Sequence, residues 1–118
     1  AGAKAAADRG LNWLRHARNG DGGYGSPSNA NSTALAVEAL IAGHLRAASG
    51  LHWLRSHQVG CNGPQARRGA VKFHDTYDGS ALLATSQAAA ALARTPLAWI
   101  DGDGARDRAP VLDCSTNG

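Results

Sequence analysis

The stretches 7-ADRGLNWLRHA-17 and 47-AASGLHWLRSH-57 decide the fold. Laid over one another at an offset of 40 residues, they share Ala7/Ala47, Gly10/Gly50, Leu11/Leu51, Trp13/Trp53, Leu14/Leu54 and Arg15/Arg55. In each, the alanine and the two leucines fall at i, i+4 and i+7, one face of an α-helix. A glycine inside a helix costs about 1 kcal/mol relative to alanine. Its return at the same place therefore predicts a packing site, where another backbone comes close. A second helix follows each of these. The stretches 33-TALAVEALIAG-43 and 85-TSQAAAALART-95 match at Thr33/Thr85, Ala36/Ala88, Ala39/Ala91 and Leu40/Leu92, at an offset of 52. The growth from 40 to 52 puts 12 extra residues in the second connecting loop, near Cys61.

The expected helices run over about 3–18, 30–42, 45–58 and 80–94. Asn29, Asn31 or Ser32 is placed to cap the second. Gly43 is a helix stop, and Pro96 ends the fourth. The reading is an all-α fold with one helical-repeat domain over residues 1–118: hairpin 1 at about 3–43, hairpin 2 at about 44–95 and a tail over 96–118. Apolar residues make up 43% of the chain but aromatics only 5%, so alanine carries most of the apolar content. Alanine favours helix and buries little area, which predicts close helix packing around a thin core. One hairpin cannot cover its own apolar face and needs a neighbour. Two hairpins are few, so the expectation is self-association or membership of a longer array.

Between the helices of the first hairpin lies 20-GDGGYGSPSNANSTALAVEAL-40. It is no phosphate loop, since G-x-x-x-x-G-K-[ST] is missing and no strand precedes it. The segment 18-RNGDGGY-24 resembles the Gln-x-x-Asp-Gly-x-Trp signature of the prenyltransferase/squalene-cyclase repeat family, the hairpin unit of the α/α toroid. Asp21 and Gly22 match it, while Arg18 and Tyr24 replace the glutamine and the tryptophan. In the second repeat Gln58 matches and Cys61 stands at the aspartate position. The resemblance covers roughly residues 5–95. It implies a turn that ties outer to inner helix, with the inner helices lining a cavity.

Three branches of that family differ in chemistry. Triterpene cyclases use Asp-x-Asp-Asp, and protein prenyltransferases hold Zn²⁺ through Asp, Cys and His. Neither set is present: Asp101-Gly-Asp103 lacks the adjacent acid, and Asp113-Cys114 lacks the spacing. The exported, disulfide-bonded branch similar to transcobalamin and intrinsic factor is non-catalytic. That resemblance implies a binding module for a bulky ligand, corrinoid-like or terpenoid, at the loop face. The rival readings are a fragment of a terpene-cyclase or prenyltransferase-like enzyme, and a structural self-association or scaffold module.

Cys61 and Cys114 are the only cysteines. Two cysteines in a small chain without methionine fit one disulfide and an oxidising, secreted or cell-envelope setting. Closing such a loop is worth about 4 kcal/mol in the chain-entropy model. The tail is then expected to run back across the hairpins, with Trp99 and Ile100 plugging the exposed end. The net charge of +3 and pI of about 9.3 come from scattered arginines. No basic run is interleaved with aromatics, so a solvated face is favoured over nucleic-acid binding. No apolar run is long enough to span a membrane.

The toroid geometry puts Tyr24, Asn29, Asn31 and Thr33 at one mouth with His74, Asp75, Tyr77, Asp78, Thr85 and Gln87. These are the expected ligand contacts, set against capping and loop satisfaction as the alternative role. No catalytic residue is assigned. His57 and Cys61, four apart, are too few for a metal site. The string 101-DGDGARD-107 offers Asp101, Asp103 and Asp107 as candidate Ca²⁺ ligands, with a polar turn as the favoured reading. Partners expected from this reading are a small-molecule ligand or another helical-repeat chain, including a second copy.

Overall fold

The computed structural model describes residues 2–101 and 112–115. It is all-helical, with α1 (Gly2–Ala17), α2 (Ala30–Ala42), α3 (Ala48–Ser56) and α4 (Ala81–Leu92). Short 3₁₀ turns occur at Gln65–Arg67 and Leu97–Trp99. Among the described residues there is no strand, only isolated bridges pairing Gly25 with Ser28 and Gln58 with Val71. A Cys61–Cys114 disulfide, S–S 2.06 Å, links the second loop to the tail.

Helix α2 starts where Asn29 stops being helical: its side chain accepts the Ser32 N–H at 2.9 Å. Asn29 thus takes the cap among the three residues expected to compete for it. At the other end the left-handed residue is His44 (φ 58), not Gly43 (φ −84). His44 N–H donates to Ile41 O at 2.9 Å and Leu45 N–H to Leu40 O at 2.8 Å, which satisfies the last carbonyls. Gly43 is small for a packing reason. A Cβ there would lie 2.5 Å from Leu11 Cδ1. Helix α4 ends in the same way, with Arg94 (φ 55) left-handed and Thr95 N–H donating to Ala90 O at 3.0 Å. That turn closes α4 before Pro96.

Helices α2 and α4 make the most extensive helix–helix contact. Ala84, Ala88 and Ala91 form a fully buried strip on α4 at i, i+4 and i+7. Val37 and Leu40 of α2, Leu51, Trp53 and Leu54 of α3, and the loop residues Tyr24 and Val71 complete the core. Helix α1 buries no residue: Leu11, Leu14 and Ala17 rest against the core, while residues 2–10 are all exposed.

One device recurs in both hairpins. Thr33 Oγ1 accepts the Tyr24 N–H at 3.0 Å, and Thr85 Oγ1 accepts the Val71 N–H at 2.9 Å. These threonine clips equate Tyr24 with Val71, an offset of 47. The 12 extra residues therefore divide, seven before Val71 and five between Val71 and Thr85. The first group lies in a knob closed by Val59 N–H to Ala70 O at 2.8 Å and stapled by Cys61. Gln58 enters this knob through its bridge to Val71, so α3 stops at Ser56.

Candidate functional site

The residues expected at the loop face are mostly engaged in holding the loops. Tyr24 is 5% exposed, and the hydroxyl of buried Thr33 serves its backbone. Thr85 does the same for Val71 and donates to Ala81 O at 2.6 Å. Asn29 is the cap and also donates to Pro27 O at 3.2 Å. His74 Nδ1–H donates to Ser28 O at 2.9 Å, tying the second loop to the first. Tyr77 lies under the Arg67 guanidinium, 4.3 Å from ring centroid to Cζ. Asp78 accepts from the Ser80 N–H at 2.8 Å and from its hydroxyl. Asn31 and Gln87 are half-buried, with carboxamide oxygens lacking a hydrogen-bond partner. His74 and Asp75 share a cleft of about 410 Å³ with Asp21, Ser28 and Trp53, whereas Tyr24 lines other clefts.

The strongest constellation in the loops centres on Asp21, which the signature marked as a turn residue without its link to the next hairpin. Asp21 Oδ1 accepts the Gly23 N–H at 3.0 Å and the Ser28 hydroxyl at 2.7 Å. Its Oδ2 accepts the Trp53 indole N–H at 3.1 Å. One carboxylate thus closes the first turn and fastens it to α3. The Ser28 hydroxyl, then the Gly23 amide, hold the Asp21 carboxyl below the usual carboxylate range. Gly23 must be bare, since a Cβ there would lie 2.8 Å from Trp53 Nε1. Trp53 stacks on His57 with centroids 3.6 Å apart and planes 15° apart. His57 Nδ1–H donates to Trp53 O at 2.8 Å, and its Nε2 faces Asp75 at 3.4 Å. Cys61 is spent on the disulfide, so it does not join His57 as a ligand. Among the described residues no group of three or more His, Cys, Asp or Glu is placed to hold a metal. Asp101 is exposed, and Asp103 and Asp107 fall outside the described residues.

A second feature is apolar. A groove of about 660 Å³ runs between the helices of the first hairpin. Trp13, Leu14 and Ala17 of α1 form one wall, Ser32, Leu35 and Ala36 of α2 the other, and Tyr24, Gly25 and Ser26 its end. Trp13 is 68% exposed and Leu35 56%. The repeat supplies an internal comparison. The matching positions in the second hairpin are Trp53, Leu54, His57, Val71, Lys72, Phe73, Ala84, Gln87 and Ala88; five of them, Trp53, Leu54, Val71, Ala84 and Ala88, are at most 4% exposed, and the other four are half-buried. The first hairpin covers them: Asp21 reaches Trp53, and the Ala30 N–H donates to Phe73 O at 2.9 Å. Along its Trp13 wall the groove is thus the first hairpin's copy of a surface that the second hairpin has buried.

Searches against family models, curated proteins and solved structures find no match to this chain. No helix among the described residues is long and apolar enough to cross a membrane.

Proposed function

We propose that this chain is a non-catalytic, protein-binding helical-repeat module, built from hairpins like those of the prenyltransferase/squalene-cyclase family, and that it works through the groove between α1 and α2. The exposed Trp13 carries this reading, because its repeat-mate Trp53 is buried under a neighbouring hairpin. Large exposed apolar patches on small proteins mark interaction sites, and tryptophan is a favoured anchor in protein interfaces. The disulfide supports an oxidising compartment as the place of work.

A second reading shares the same surface. At about 660 Å³ the groove lies within the size range of small-molecule sites. A bulky apolar ligand, terpenoid or corrinoid-like, would lie along Trp13 and Leu35.

Native mass spectrometry of material from an exporting host tests both readings, with Leu35→Asp as the control. Leu35 is exposed, so the charge spoils the groove and spares the core. A bound polypeptide lost in Leu35→Asp is the expected result. A small bound mass lost in the same variant selects the second reading. A bound species that Leu35→Asp retains overturns the groove as the working surface.

A further inference from the structure

We infer that the occupant of the α1–α2 groove is a helical hairpin whose turn carries a carboxylate, seated on α1 as the first hairpin is seated on α3. This rests on the groove being the binding face, and it specifies the partner's chemistry. The junction between the two hairpins serves as a template, and three of its contacts have open counterparts on α1 or in the loop that follows it.

In the template, Trp53 Nε1–H donates to Asp21 at 3.1 Å. On α1 the Trp13 indole stands in solvent with a donor free for the same bond. In the template, Gly50 leaves room for a branched side chain: a Cβ there would lie 2.5 Å from Val37 Cγ2. On α1 the matching Gly10 has nothing within 4 Å, so the same place beside the helix stands open. In the template, the Phe73 carbonyl accepts the N–H of Ala30, the first residue of α2. The threonine clips equate Phe73 with Ser26, which is exposed in the groove wall. The partner therefore offers an acidic turn of the 21-DGGY-24 kind and then a helix whose first amide meets Ser26. A branched apolar side chain further along that helix packs over Gly10. Charge agrees with this: α1 carries Lys4, Arg9 and Arg15 against the one acid Asp8.

A second copy of this chain fits less well. Its first hairpin already spends this surface on its own α3. The threonine clips move the aspartate position of its second hairpin from Cys61, where the signature put it, to Arg68, three residues before Val71 as Asp21 is three before Tyr24. That would bring a cation, not a carboxylate, to the Trp13 indole.

The test is a tandem duplication of residues 7–46 inside the full chain, which adds one hairpin at the natural repeat length. The added hairpin presents Asp21, Val37 and Ala30 to the following copy of Trp13. Indole N–H exchange, followed by NMR, is the readout. The expected result is a second slowly exchanging indole beside that of Trp53, slowed about tenfold or more, the factor equivalent to about 1.4 kcal/mol. Changing Asp21→Asn in the added hairpin alone should return that indole to fast exchange with the helical circular dichroism unchanged. A newly covered position that stays as exposed as Trp13 in the parent overturns the inference, as does protection indifferent to Asp21→Asn. So does a dimer of the parent chain that Leu35→Asp dissolves, since a second copy would then be the occupant. In each of these cases the groove reading itself stands or falls on the mass-spectrometric comparison above.

Discussion

Helices α1 and α3 carry the same letters at their key positions and live in different surroundings. Both present alanine, glycine, two leucines and a tryptophan in one register. In α3 the glycine, both leucines and the tryptophan are buried; in α1 no residue is. Intrinsic propensity does not separate them. What differs is the neighbour, because α3 lies under the first hairpin and α1 lies under nothing described here. In a repeat, burial belongs to a position in the stack, and the same side chain can be core or surface.

The largest test of that contrast is to truncate both tryptophans. Trp53→Ala should cost about 3–5 kcal/mol, the range for removing a buried aromatic. Trp13→Ala should stay within about 0.5 kcal/mol. Chemical denaturation measures both, and equal losses would mean that α1 is covered in solution. The glycines sharpen the contrast with opposite signs. Gly50→Ala drives a methyl into Val37 and should destabilise by about 1–3 kcal/mol. Gly10→Ala meets open space and should stabilise by up to about 1 kcal/mol through helix propensity.

The smallest effects concern pH and two acids of the first hairpin. Asp21's lowered pKa contributes stability above the ordinary carboxylate range, lost as pH falls through its depressed value. Glu38 acts in the opposite sense. Burial pushes its carboxyl up, against a hydrogen bond from the Leu97 amide, and Oε1 has no partner. Its contribution is complete below the ordinary carboxylate range and lost as pH rises through the raised value. Glu38→Gln should therefore raise the melting temperature by a few degrees at neutral pH and leave it unchanged in acid, as thermal scans at both pH values would show.

The helices were legible because their apolar spacing repeats. The bounds of α2 and the Cys61–Cys114 pairing follow from sequence alone. The start of α3 was read three residues early, because nothing in 44-HLRA-47 announces that His44 turns left-handed. The candidate site was less legible. Thr33, Thr85, Asn29 and His74 look like ligand contacts in a polar loop, yet each bonds a backbone group brought to it by folding. Conversely, the Asp21–Trp53 bond spans 32 positions and two hairpins, which residue spacing cannot show. The repeat itself held the missing clue. It equates Trp13 with Trp53 but does not say which of them has a neighbour.

The Cys61–Cys114 bond also decides how the molecule would bear a mechanical load. Tension applied beyond Cys114 crosses the sulfur bridge to Cys61 and bypasses α4 altogether. Residues 62–113 are shunted out of the force path as a covalent loop, each withholding about 3.3–3.6 Å of extension. A molecule pulled from its two ends would therefore pay out only the first hairpin and α3. A reducing agent would release the rest as one added length, so the staple fixes which half of the fold can be unravelled by force.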